Sequence, residues 1–187
     1  MQMIYQNCPH PADERWLLRP VEAEDAAALL KVYGDRNALP FFNSDNCHGD
    51  NFYYNTPEKM KGAMAFWQEA WAKEWFARLT IVDKAAEEAV GTVELCVRRS
   101  DDDFDGAGIV RLDLRSDYEE KTPIALLMEL ISKYAFDLLG VDTLITKIPI
   151  YAVERQEAAA AVGFEKSDSL LKGSDGRLYD GYWILRR

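Results

Sequence analysis

Apolar residues change period several times along the chain, and each change marks an element. Residues 16–20 read as a short strand. Ala26, Leu29, Leu30 and Tyr33 then recur at helical spacing, predicting a helix over about 22–33. Glu22, Glu24 and Asp25 crowd its start, where the helix dipole favours acids. Thr56-Pro57 opens a second helix with a capping threonine and a proline at the first turn. Ala63, Phe66, Trp67, Ala70 and Trp71 give it one broad apolar stripe, to about Lys73. Period two follows, predicting strands over 75–83, 89–99 and 108–116. In the last, Val110, Leu112 and Leu114 face one way, and Arg111, Asp113 and Arg115 the other. The loops "KAAEEA" and "SDDDFDGA" are short and polar, so these strands are expected to be antiparallel neighbours.

The longest helical pattern runs over 123–139. Ile124, Leu127, Met128, Ile131, Tyr134, Ala135 and Leu138 share a face, while Glu129, Lys133 and Asp137 point away. Gly140 is placed to end it. "VDTLITKIPI" reads as a strand and a turn, and "VERQEAAAAVGF" as a short helix ending at Gly163. Two closing strands follow, joined by a turn at Gly173–Gly176. The order β-α-α-β-β-β-α-β-α-β-β predicts one α/β domain over 1–187. Its mixed, mostly antiparallel sheet of about seven strands has helices on both faces. Residues 1–14 are expected to be a flexible or peripheral segment. The strand at 108 and the strand at 141 flank a helix, so they should run parallel. Residues 34–55 form a long aromatic loop. Phe41, Phe42, Phe52, Tyr53 and Tyr54 either cover a substrate groove or pack the loop onto the core.

Composition narrows the partners. The chain has 187 residues and a net charge of -10, which disfavours a nucleic-acid backbone and is compatible with a cationic substrate. No run of 18 apolar residues is present, so no membrane span is expected, and the N-terminus lacks a secretory pattern; the expectation is a cytoplasmic protein. Cys8, Cys47 and Cys96 suggest no disulfide framework. Cys47, His48, Asp45 and Asp50 are too close for a standard zinc layout, and "SDDDFDGAG" lacks the calcium-loop spacing, so no metal is expected.

The stretch "SDYEEKTPIALL" joins the 108–116 strand to the long helix. Thr122 is expected to cap that helix and Pro123 to be its first residue. Free N–H groups at such a tip can hold a pyrophosphate. Glu119 and Glu120 sit in the loop and would repel it, with Lys121 a partial offset. The alternative is ordinary capping.

Taken together, the segments resemble the GNAT superfamily of acyl-CoA-dependent N-acetyltransferases. The resemblance is greatest to the branch with the ribosomal-protein and N-terminal alanine acetyltransferases. It is carried by "WLLRPVEAEDAAALLKVY", "TPEKMKGAMAFW", "AVGTVEL", "IALLMELISKYAFDLLGVDTLITKI", "AVGFEKS" and "GRLYDGYWILRR". The family's cofactor loop reads Gln/Arg-x-x-Gly-x-Gly/Ala; here Asp117, Glu120 and Thr122 occupy those positions. In the late helix, Ala152 and Arg155 stand where the branch carries Asn and Ser.

The resemblance implies acetyl-CoA as co-substrate. The backbone of Leu112, Leu114 and Arg115 would hold the pantetheine arm, and the tip at Lys121, Thr122, Pro123 and Ile124 the pyrophosphate. A peptide or small-molecule primary amine would attack directly where the 108 and 141 strands splay, in a monomer or homodimer. Glu94 and Asp113 are the candidate bases, each equally a partner for an arginine such as Arg98 or Arg111. Tyr118 and Tyr151 are candidate acids for the departing thiol. Cys96 faces the same way as Glu94 and reads as a quiet buried thiol. The competing implication is a catalytically inactive relative that binds a ligand or protein through the same groove.

Overall fold

The computed structural model describes residues 3–6, 8 and 10–187. In chain order the elements are α1 (Met3–Gln6), β1 (Trp16–Pro20), α2 (Ala26–Tyr33), α3 (Pro57–Ala72), β2 (Ala77–Asp83), β3 (Glu88–Val97), β4 (Gly108–Leu114), α4 (Lys121–Leu139), β5 (Thr143–Lys147), α5 (Val153–Val162), β6 (Glu165–Lys166), β7 (Leu171–Lys172), β8 (Leu178–Tyr179) and β9 (Tyr182–Arg186). Seven strands form one sheet in the order β1-β2-β3-β4-β5-β9-β6, and β7 and β8 pair as a separate hairpin. All pairings are antiparallel except β4 with β5, the two strands that flank α4. The expected mixed, mostly antiparallel sheet of about seven strands is therefore the fold.

Strand alternation decides which helix covers which side. Leu79, Val93, Leu95, Val110, Leu112 and Leu114 point to one face and pack with α4 in the main core. Residues of opposite parity point to the other face, beneath α2, α3 and the 34–55 loop. A second core there gathers Leu29, Tyr33, Phe42, Phe52, Met64 and Trp67. The sheet is thus buried on both sides, and the polar side of β2, β3 and β4 is buried with it. β3 and β4 approach closely at Gly91, where a Cβ would sit 2.3 Å from the Asp113 carbonyl.

Element ends follow local chemistry. The Thr56 side chain caps α3 by accepting from the Lys59 amide at 3.3 Å, with Pro57 in the first turn. Gly140 closes α4 and Gly163 closes α5, both left-handed. α4 departs from expectation at its start. It begins at Lys121 with Glu120 as N-cap, so Thr122 is not the cap and Pro123 is third in the helix rather than first. Proline costs nothing there, because amides in a first turn have no intrahelical acceptor.

Residues 1–14 are the segment expected to be flexible or peripheral, and positions 1, 2, 7 and 9 of it lie outside the described residues. Within it, Ile4 is fully buried in the main core and Tyr5 lies edge-on to Trp71. The closing region holds four short strands rather than two, because the turn at Gly173–Gly176 joins its own hairpin, β7–β8.

Candidate functional site

β4 and β5 pair over only two residues, Gly108 with Leu144 and Ile109 with Ile145, and then separate. This splay lies at the middle of the sheet. Beside it, register builds a row of charge across three strands: Arg78 of β2 lies opposite Glu94 of β3, which lies opposite Arg111 of β4. The neighbouring row carries Thr80, Thr92 and Asp113. Opposite charges directly across an antiparallel pair are the favourable arrangement.

Arg78 is the hub. Its Nη2 donates to Glu94 Oε2 and its Nη1 to Asp113 Oδ2 at 2.8 Å. The same Nη1 donates to the Tyr33 hydroxyl at 2.9 Å and to Thr92 Oγ1 at 3.1 Å. The Tyr33 hydroxyl in turn donates to Asp113 Oδ2 at 2.9 Å. Arg111 Nη1 donates to the other Glu94 oxygen at 3.0 Å, and its Nη2 to the Asp45 carbonyl at 2.8 Å. The Arg78 guanidinium also lies over Trp67, 4.7 Å from the ring centroid. Two guanidiniums face two carboxylates, so the network is balanced.

Burial alone would raise the Glu94 carboxyl, but Arg111 and Arg78 outweigh it and hold the group below the usual carboxylate range. Arg78 is held well above its ordinary value despite burial, by Tyr33, Glu94 and Asp113. Burial, then Glu94, pushes the Cys96 thiol up to about 12, which leaves almost no thiolate for nucleophilic attack near neutral pH.

Above this row lies a cavity of about 380 Å³ between the sheet, α3 and the 46–54 loop. Phe52, Tyr54, Phe66, Trp67, Trp75 and Phe76 supply its aromatic lining, and Glu94, Arg111, Cys96 and Cys47 are among its polar lining. Phe52 holds a φ of 60°, a left-handed conformation that costs a bulky residue energy. In that conformation it packs beside Tyr54, with ring centroids 6.3 Å apart. The aromatic loop thus does both things its sequence allowed: Phe42 and Phe52 pack into the second core, and Phe52 and Tyr54 line the cavity.

The corner at the start of α4 is organised differently. Glu154 of α5 accepts from the Lys121 amide at 2.8 Å, and Glu157 pairs with the Lys121 ammonium at 2.9 Å. Pro123 has no N–H, and the Ile124 amide donates to the Glu120 carbonyl at 3.1 Å. Of the four tip positions, Thr122 alone keeps a free amide among the described residues. Arg155 closes the splay from α5. Its Nε donates to Glu119 Oε2 at 2.7 Å and its Nη1 to the Leu112 carbonyl of β4 at 2.8 Å. Nη1 also reaches the Phe41 carbonyl at 3.2 Å, and the Tyr151 hydroxyl donates to the Pro40 carbonyl at 2.5 Å. The guanidinium and Glu119 are both nearly inaccessible, at 3% and 6% side-chain exposure. A pyrophosphate needs several free amides and little competing negative charge. In this conformation the Glu120 and Thr122 amides are free among the described residues, while Glu154 holds the Lys121 amide, so a pyrophosphate seated here would have to displace Glu154 to gain a third donor.

Glu94 and Asp113 meet on one arginine, Arg78, and Glu94 also lines the cavity. Arg98 pairs with Asp102 instead of either. Tyr118 is elsewhere: it lies against Trp16, between the guanidiniums of Arg15 and Arg115. Leu114 is buried in the main core, and Arg115 pairs with Asp117 and Glu88. Sequence reasoning missed Arg78 and Tyr33, and Glu154 as the group on the helix tip. Arg78 carried a signal, since alternation with Ala77, Leu79 and Ile81 puts it on the same side as Thr80.

Residues 15–165 match the family model described as the acetyltransferase (GNAT) domain. No curated protein sequence matches the chain. Among solved structures, the chain is similar to a ribosomal-protein-S5-alanine acetyltransferase from Vibrio fischeri, with a TM-score of 0.67, 18% identity and 94% of each chain covered. It is also similar to a GNAT-family acetyltransferase from Bacillus anthracis, at a TM-score of 0.69 and 12% identity, covering 95% of this chain and 98% of that one. A spermidine N-acetyltransferase from Vibrio cholerae, in complex with CoA and spermine, gives a TM-score of 0.65 and 12% identity over 93% of this chain and 96% of that one. At these identities the likenesses establish the fold alone. The family match spans most of the chain over the same splayed sheet, and by that match the chain belongs to the acetyltransferase (GNAT) domain family.

Proposed function

We propose that the chain is an N-acetyltransferase that moves an acetyl group from acetyl-CoA to a primary amine. The observation that carries this reading is the place of the splay. β4 leaves β5 after Ile109, and the cavity lined by Ile109 and Arg111 adjoins that point. An amine held in the cavity would thus stand next to the opening between the strands, and two reactants held together gain much of their rate from proximity. The residues beneath would serve as a fixed floor. Glu94 has both oxygens engaged by arginines and is held as a weak base, so a proton leaving the amine is expected to pass to water.

One observation favours a second reading. Arg155, held by Glu119, occupies the Leu112 carbonyl and Glu154 the Lys121 amide, both groups a cofactor would use. That is the arrangement expected of a relative that binds a ligand without transferring acyl groups. Under the first reading the corner is a closed state, and only the open fraction is competent, which weakens the apparent affinity by that fraction. Calorimetry of the protein with coenzyme A, followed by release of free thiol from acetyl-CoA in a panel of amines, separates the two. Weak but saturable heat with amine-dependent thiol release supports the transferase. Flat heat and no release at millimolar cofactor leave the binding domain.

A further inference from the structure

The cavity above the charged row carries a chemical preference of its own. Its walls are six aromatic rings, and two of these, Phe66 and Trp75, are left about half exposed at 49% and 54%. Large aromatic rings left open beside a cavity are a common mark of a ligand site. The charged lining comprises Arg78, Arg98, Arg99, Arg111, Asp50 and Glu94. Most of these cancel. Arg78 and Arg111 are balanced by Glu94 and by Asp113 beneath them, and Arg98 by Asp102.

Two charges remain. Arg99 is exposed at the rim this cavity shares with a second cleft beside Asp137 and Gly140, and it makes no ion pair with any described residue. Among the described residues Asp50 meets only neutral donors, the Tyr54 hydroxyl at 2.7 Å and the Phe52 amide at 2.8 Å. A single cavity therefore shows one unmatched cation, one unmatched anion and an aromatic wall. A polyamine is a poor match, because cations already lie over four of the six rings: the Arg78 guanidinium over Trp67, Phe52 and Phe76, and the Lys73 ammonium over Trp75 at 4.6 Å. A long cation would also meet Arg99.

We propose that this cavity binds a zwitterionic α-amino acid with a large aromatic side chain. Its carboxylate would pair with Arg99, its ammonium with Asp50, and its ring would lie against the open rings of Phe66 and Trp75. The identity of the ligand as the acetyl acceptor rests on the function proposed above, but its binding does not.

The test uses four probes by calorimetry on the full chain without cofactor: L-tryptophan, tryptamine, indole-3-propionate and spermidine. L-tryptophan is expected to bind about tenfold more tightly than tryptamine, which lacks the carboxylate, and than indole-3-propionate, which lacks the ammonium. In Arg99→Ala the preference over tryptamine should vanish while tryptamine binding is unchanged. In Asp50→Asn the preference over indole-3-propionate should vanish. Arg99 is exposed and unpaired, so its variant folds if the chain does. Spermidine or tryptamine binding as tightly as L-tryptophan, no binding of any indole probe, or a tryptophan preference untouched by Arg99→Ala would each overturn the proposal. Because no coenzyme is present, an inactive cofactor corner leaves this outcome unaffected.

Discussion

Two ion-pair systems flank β4, and they are built to different rules. Beneath the cavity, Arg78, Glu94, Arg111 and Asp113 project from three paired strands, so backbone register fixes their spacing. At the corner, Arg155 and Glu154 come from α5, and Glu119 from the loop before α4. The first system leaves open space above it; the second fills the space it borders. Charges fixed by strand register act as scaffold, because no side chain can leave without stranding another in the core. Charges brought in by a loop and a helix start can be exchanged for a ligand. The exposed Glu154 carboxylate on the Lys121 amide is the easiest of these to displace.

This contrast is most easily broken at the hub. Arg78→Met removes the shared partner of two buried carboxylates, and the expected loss is about 3–5 kcal/mol of folding free energy, read by urea denaturation. A loss below about 1 kcal/mol would mean the row is not scaffold. Glu119→Ala should cost less, about 2–3 kcal/mol, because Arg155 keeps the carbonyls of Leu112 and Phe41. Equal costs at both sites would erase the distinction between the two systems.

The smallest effect is on acid stability. Glu94 has a depressed carboxyl, so its contribution is complete above the unfolded value of about 4.3 and drains away as pH falls toward the folded value. Melting temperature should fall steeply below about pH 4 in the native chain and less steeply there in Glu94→Gln. Parallel slopes would assign the acid sensitivity to other carboxylates.

Much of the scaffold was legible in the sequence, for a physical reason. Period-two alternation in β4 assigned Leu112 and Asp113 to opposite faces, and the caps at Thr56, Gly140 and Gly163 are local chemistry. The burial of the polar face was not legible. Alternation reports which residues share a side, not whether α2 and α3 cover it. The hub at Arg78 required knowing that β2, β3 and β4 lie in register, a long-range fact. The corner was legible only as a conflict between free amides and acidic neighbours. Its resolution came from Glu154 and Arg155, more than 30 residues further along, which no local pattern connects to Lys121.

Under the transferase reading proposed above, coenzyme A would have to displace Glu154 from the tip of α4. Titration calorimetry of coenzyme A into the native chain and into Glu154→Ala tests it directly. Removing one carboxylate–amide contact is worth about 1 kcal/mol, so Glu154→Ala should bind roughly fivefold more tightly, with unfolding stability nearly unchanged. Identical affinities in the two proteins, or no heat from either, would contradict the account.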